Sequence, residues 1–347
     1  MTKGFTRLLM VVLALAMIAA ACGGDADAGG GGSEDLDGEI FISGSSTVEP
    51  ISRLNAELFM EQNPGVSIDV EGPGTGDGFA LFCQGDSDIS DASRPIDTEE
   101  EAPVCDENGI EYIELKVGID GIAVLTNPDN TDVGCLNFHD LYALLGPESE
   151  GFESWSDANE LAAEFDDTHA PYPDAPLEVT APGEESGTFD SFAELVLEDI
   201  AVEERKQPED GPFVRPDYQA SGDDNVIIQG IGGSPTSLGW VGYSYYVQNE
   251  DQVRAIPIAA EGDDCIEPNE ETISSAEYPI SRFLYIYVNK SELESNPALE
   301  AFVDYYLSDE GLAAVTDPNV GYVSLHEEDI STTRQVWEDK ETGTREG

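Results

Sequence analysis

Positive charge is scarce in this sequence. Its 347 residues hold 14 lysines and arginines against 73 aspartates and glutamates, a formal net charge of -59. Affinity for nucleic acid rests on lysine and arginine neutralising phosphates, so nucleic acid is excluded as a partner. The acids run along the whole chain, which reads as a solvated surface suited to high salt rather than as a site. Histidine is nearly missing too: His139, His169 and His326 are scattered, and no Cys-x-x-Cys occurs. That leaves no recognisable zinc spacing, and no metal is expected. The Gly-x-Ser-x-Gly elbow of a serine hydrolase is absent, because Gly183-Glu-Glu-Ser186-Gly187 is spaced differently. A P-loop is absent as well, so the chain is not expected to bind ATP itself.

Long apolar runs are limited to one. Leu8 to Ala20 follows Lys3 and Arg7 and is shorter than the ~20 residues of a spanning helix. Ala19, Ala20 and Ala21 then precede Cys22. This layout predicts a secretory signal over residues 1–21. A cysteine directly after small residues is similar to a bacterial lipobox, with Ala19 where leucine is usual. Cys22 is therefore the expected lipidation site, anchoring the protein to the outer face of the cell membrane. Residues 22–38 are rich in Gly and acids and predict a flexible tether. Outside the cytoplasm, the four remaining cysteines (Cys83, Cys105, Cys135 and Cys265) read as disulfides. Three pairings are possible; proximity along the chain favours Cys83 with Cys105, leaving Cys135 with Cys265.

About 310 residues remain to fold, enough for two domains with their own cores. Short β-patterned runs alternate with helical ones. Strands are predicted at 39–43, 66–70, 112–117, 122–125, 177–180, 238–243 and 283–288. Helices are predicted at 48–60, 136–145, 189–200, 226–231 and 297–307, the first from Ile51, Leu54, Leu58 and Phe59 at helical spacing. Such alternation predicts an α/β fold with largely parallel pairing and helices on both faces.

Three junctions between strand and helix share one chemistry. Gly44-Ser-Ser-Thr47, Gly72-Pro-Gly-Thr-Gly-Asp-Gly78 and Pro182-Gly-Glu-Glu-Ser-Gly-Thr188 each put hydroxyls and small residues before a helix. The first N–H groups of a helix have no partner inside it, and its dipole is positive there. Such ends bind anions, and glycines let the backbone come close to a ligand. A fourth segment, Asp91-Ala-Ser-Arg94-Pro95, ends a strand with one of the few bases.

The runs ISGSSTVEPIS, GPGTGDGF, DISDASRPI, NGIEYIEL, GIDGIAVLTNP, PGEESGTFDSF and GDDNVIIQGI occur in that order. Together they resemble the phosphate-binding proteins of ABC phosphate importers, the PstS type, from about Glu39 to Tyr322. The resemblance implies a type II periplasmic-binding-protein fold: two α/β domains, mixed sheets with flanking helices, and a ligand cleft at the hinge. It implies domain I at 39–118 and 256–335, domain II at 119–255, and a C-terminal tail at 336–347. It also implies inorganic phosphate as ligand, importer permease subunits as partners, no cofactor, no catalysis and a monomer. Matched motif by motif, the phosphate ligands are Ser46 and Thr47, Thr75 and Gly76, Ser93 and Arg94, and Ser186, Gly187 and Thr188.

Two departures matter. The best-known branch has an arginine four residues before the Ser-Gly-Thr serine, where this chain has Pro182. It also has an aspartate where this chain has Ser93. The cation role is thus expected to pass to Arg94. Phosphate near neutral pH keeps a proton that sulfate lacks, so one carboxylate acceptor selects for phosphate. Asp120 is the first choice for that acceptor, with Asp91, Asp223 and Asp224 as alternatives. The rival functions are binding of sulfate or molybdate, a phosphate sensor or scavenger, and a secreted phosphatase-like enzyme.

Overall fold

A computed structural model describes residues 36–184, 186–208, 211–260 and 264–345. The expected signal, Cys22 and most of the tether lie outside the described residues. Four strands frame the functional region: β1 (Asp37–Gly44), β2 (Gly65–Glu71), β3 (Ile89–Ala92) and β4 (Tyr112–Thr126). The main sheet has nine strands. Its order is β2, β1, β3, Ser281–Asn289, β4, Ser237–Gly242, Glu178–Ala181 and Gln219–Ala220, with Arg254–Ala255 also pairing β4. β1 is parallel to β2 and β3, whereas Ser281–Asn289 is antiparallel to β3 and β4. The sheet is therefore mixed. A smaller sheet joins Leu136–Asn137, Ile258–Ala259 and Cys265–Ile266.

The strands predicted at 112–117 and 122–125 are one continuous strand. Gly118 and Gly121 read as a break, yet both are packing glycines. A Cβ on Gly118 would meet Val315 at 2.9 Å, and one on Gly121 would meet Ile273 at 2.9 Å. The first half of β4 pairs with Ser281–Asn289 and the second with Ser237–Gly242. The two main cores part along this strand. Ile113, Leu115 and Val117 pack with β1, β2 and the helix Pro297–Tyr306. Ile119, Ile122 and Val124 pack with Leu141, Trp155, Phe192 and Trp240.

Ile256, Ile258, Ile273, Tyr278 and Ile280, which the sequence reading grouped with the first domain, lie in this second core. The stretch from 336, read as a tail, ends the helix Glu327–Asp339; Val336 and Trp337 are buried in the first core. Two disulfides join Cys83 to Cys105 and Cys135 to Cys265. Closing these loops stabilises the fold mainly by constraining the unfolded chain.

Candidate anion-binding site

The first loop leaves β1 at Gly44, whose backbone lies against β3. A Cβ there would stand 2.0 Å from the Asp91 carbonyl oxygen, so only glycine fits. The Ser45 N–H donates to that carbonyl at 2.9 Å. Helix α1 (Glu49–Gln62) starts behind Val48, which gives no side-chain cap. The capping falls to Ser45 instead: its hydroxyl oxygen accepts from the Thr47 and Val48 N–H groups at 3.2 and 3.4 Å. This leaves the Ser46 and Thr47 hydroxyls free of the cap. The Thr47 hydroxyl lies 3.1 Å from the Ser191 hydroxyl, and the Ser46 hydroxyl bonds the Asp190 carboxylate.

Glycines seat the second loop on the first. Gly74 has φ of 118° and donates its N–H to the Gly44 carbonyl at 2.9 Å. Helix α2 (Thr75–Phe82) begins there. Thr75 Oγ1 accepts from the Ser93 N–H at 3.2 Å and lies 3.0 Å from the Ser93 hydroxyl. Arg94 follows and reaches the start of α2, with Nη2 at 3.9 Å from where a Gly76 Cβ would stand. Its guanidinium is gripped by both oxygens of Glu101, each at 2.8 Å. Arg94 is thus held in position by a carboxylate of its own, and its side chain is 40% exposed.

The third loop faces the first. Ser186 caps the helix Gly187–Phe192 by accepting from the Thr188 N–H at 3.3 Å. A Cβ on Gly187 would lie 4.0 Å from the Ser46 carbonyl oxygen and 3.8 Å from the Tyr322 hydroxyl. Between the loops is a cleft of about 1170 Å³. Ser46, Thr47, Thr75, Gly76, Ser93 and Arg94 line one wall, and Gly183, Glu184, Asp190 and Glu194 stand on the other. Ser186, Gly187 and Thr188 adjoin this cleft without forming its wall.

Asp120 lies deeper, behind Thr47. Ser281–Asn289 runs antiparallel to β4, and the register sets Arg282 opposite Asp120. Arg282, which the sequence reading passed over, is the basic residue at the back of the site. Its Nη2 donates to the Ser191 hydroxyl at 2.9 Å and reaches Thr47 Oγ1 at 3.4 Å. Nη1 donates to Glu194 at 2.7 Å, and Nε lies 3.7 Å from Asp120 Oδ2. Only 9% of its side chain is exposed. The signal was present in the sequence: one of 14 bases heads an otherwise apolar strand, Phe283 to Val288.

The acids divide by environment. Burial pushes the Asp120 carboxyl up, and the Arg282 guanidinium and Ser191 hydroxyl oppose that rise. Burial drives Asp91 to about 7; the Ser52 hydroxyl, donating at 2.8 Å, offsets part of it. Asp223 caps the helix Asp224–Gly233 by accepting from the Asn225 N–H at 2.9 Å. Among the described residues, Cys135, Cys265 and His169 lie within 4.8 Å, but the two sulfurs are joined to each other. The cleft offers hydroxyls, backbone N–H groups and the Arg94 guanidinium, with Arg282 behind Thr47, a donor set for an anion with several oxygens.

A mixed sheet shared by two cores, with such donors at the junction, defines the periplasmic-type binding proteins. The chain belongs to this family: the PBP superfamily domain matches residues 26–310. Among curated relatives, Protein SphX of Synechocystis is 37% identical over 306 residues, covering 88% of this chain and 84% of SphX. The phosphate-binding protein PstS of Staphylococcus aureus is 33% identical over 317 residues, 91% of this chain and 86% of PstS. Among solved structures, a possible phosphate-binding protein from Planctomyces limnophilus superposes with a TM-score of 0.76 at 35% identity, covering 88% of this chain and 99% of that one. PstS from Borrelia burgdorferi shares the fold, with a TM-score of 0.59 at 21% identity over 84% of this chain and all of that one.

Proposed function

We propose that this protein is an extracytoplasmic solute-binding protein that captures inorganic phosphate in the cleft and delivers it to an ABC importer. One observation carries the reading. Three loops rich in hydroxyls and glycines, far apart in sequence, meet around one cleft that has Arg94 at its rim and Arg282 behind Thr47. The relatives named as phosphate-binding proteins support the same ligand.

In this reading Ser46, Thr47, Thr75, Ser93, Ser186 and Thr188 donate hydroxyls or N–H groups, and Gly76 and Gly187 donate N–H groups. Arg94 and Arg282 supply positive charge. Each charge-assisted hydrogen bond contributes roughly 1.5–3 kcal/mol. Several together reach the roughly 8 kcal/mol that micromolar binding needs. Asp120 accepts the proton of hydrogen phosphate and repels an ion that has none to give. Burial raises the Asp120 carboxyl, and the Arg282 charge beside it opposes that rise.

The domain boundaries follow the cores. We assign 39–118 with about 281–345 to one domain and 119–280 to the other. Cys22 carries the lipid anchor, residues 1–21 are removed, and 22–38 tether a monomer to the membrane. The protein transports and does not catalyse, so no residue has a catalytic role. Calorimetry with phosphate, sulfate and molybdate on the secreted form tests this. Phosphate is expected to bind with micromolar or tighter affinity and sulfate far more weakly. Tight sulfate binding without phosphate binding would overturn the assignment, and phosphomonoester turnover lost in Ser46→Ala would replace it with an enzyme.

A further inference from the structure

Glu194 stands on the cleft wall, in the π-helical turn Ala193–Glu198 that continues the helix of the third loop. Its Oε2 accepts from Arg282 Nη1 at 2.7 Å, although 41% of its side chain is exposed. Its charge is also felt by Arg94 across the cleft, and it raises the carboxyls of Asp120, Asp190 and Glu198. One exposed carboxylate therefore lies where both guanidiniums attract it, among acids that it repels. Glu101 differs: it holds Arg94 with both oxygens and also accepts the Asp97 N–H at 2.8 Å, so it belongs to the fixed frame.

We propose that Glu194 is an internal competitor of the ligand: it occupies the outer face of Arg282 in the empty cleft, and the oxyanion must displace it. This rests on the cleft being a phosphate site. A carboxylate presents two oxygens to a guanidinium as phosphate does, so it is a chemical stand-in for the ligand. The arrangement keeps a nearly buried guanidinium paired while the site is empty, since an unpaired buried charge is costly. It also sets a threshold for the ligand. An anion with a single weak contact cannot replace the carboxylate, whereas one that also engages the loop hydroxyls can.

The test is calorimetric titration of inorganic phosphate into wild-type protein, Glu194→Gln and Glu198→Gln at one pH and salt concentration. Glu198→Gln removes the same charge from the same wall without touching Arg282, so it measures general electrostatic relief. Glu194→Gln is expected to bind phosphate about tenfold tighter than wild type, and Glu198→Gln within about threefold of it. Unchanged or weaker binding by Glu194→Gln, or equal gains in both variants, overturns the inference while leaving the phosphate reading intact. Phosphate binding by none of the three overturns both.

Discussion

Arg282→Met is the most informative single change, because in the proposed reading Arg282 serves the fold and the ligand at once. Its side chain is almost buried and touches Ser191, Glu194, Thr47 and Asp120. Asp120 is 2% exposed, and its Oδ2 has no hydrogen-bond partner among the described residues. Arg282 is the cation that lowers its pKa. Removing the guanidinium strands a buried carboxyl, and breaking one partner of such a pair costs about 3–5 kcal/mol. The carboxyl can limit this loss by taking a proton, so the loss is expected to grow as pH rises.

The double variant Arg282→Met/Asp120→Asn removes both charges and should recover most of that stability. Phosphate binding should not recover. Losing one charge-assisted bond of about 1.5–3 kcal/mol weakens it by roughly 10- to 150-fold. Urea unfolding of the three proteins measures the first effect and calorimetry the second. A single variant as stable as wild type at pH 8 would refute the buried pair. A folded double variant with wild-type affinity would refute any role of Arg282 and Asp120 at the ligand.

Two other outcomes follow from the charges. Asp91, raised by burial from 3.8 to about 7, costs stability where it is ionised: nothing below its unfolded value near pH 4, and the full cost, up to about 4 kcal/mol, above pH 7. Asp91→Asn should therefore unfold at higher urea than wild type at pH 8 and show little advantage at pH 4; equal shifts at both pH values would refute the assignment. Added salt should speed phosphate capture by screening the net charge of -59, and stopped-flow traces in which salt slows association would refute that account.

Local signals and non-local ones were not equally legible. The three loops carried their own chemistry, since Gly, Ser and Thr before an apolar helical run announce a helix start. The structure brings all three to one cleft. Chain neighbours misled where packing decided. The strand was read as two, 112–117 and 122–125, but Gly118 and Gly121 lie within β4, where Val315 and Ile273 leave no room for a Cβ. Which hydroxyl caps α1 was not legible: it is Ser45, whose backbone is fixed by β3. Arg282 was missed because its partner Asp120 is 162 positions away and only the antiparallel register brings them together. Arg94 was legible as a base at a strand end; its grip by Glu101 was not, because any of many nearby acids fitted equally well.

How a chain of net charge -59 holds an anion is answered by distance rather than by total charge. Screening lengths are about 8 Å at physiological salt and about 3 Å at 1 M, so most surface carboxylates act on solvent and not on the cleft. What remains are the acids within contact range: Glu101 on Arg94, and Glu194 and Asp120 on Arg282. Each has a different freedom to move. Glu101 is locked by three hydrogen bonds, and Asp120 is enclosed behind Thr47. Glu194 alone of the three has a side chain more than a third exposed. In the proposed reading, a ligand entering the cleft deals with one carboxylate that yields, one that fixes a cation and one that accepts a proton. In that reading, the carboxylates at 2.7 to 3.7 Å from these two arginines are the parts that tune which oxyanion the cleft accepts.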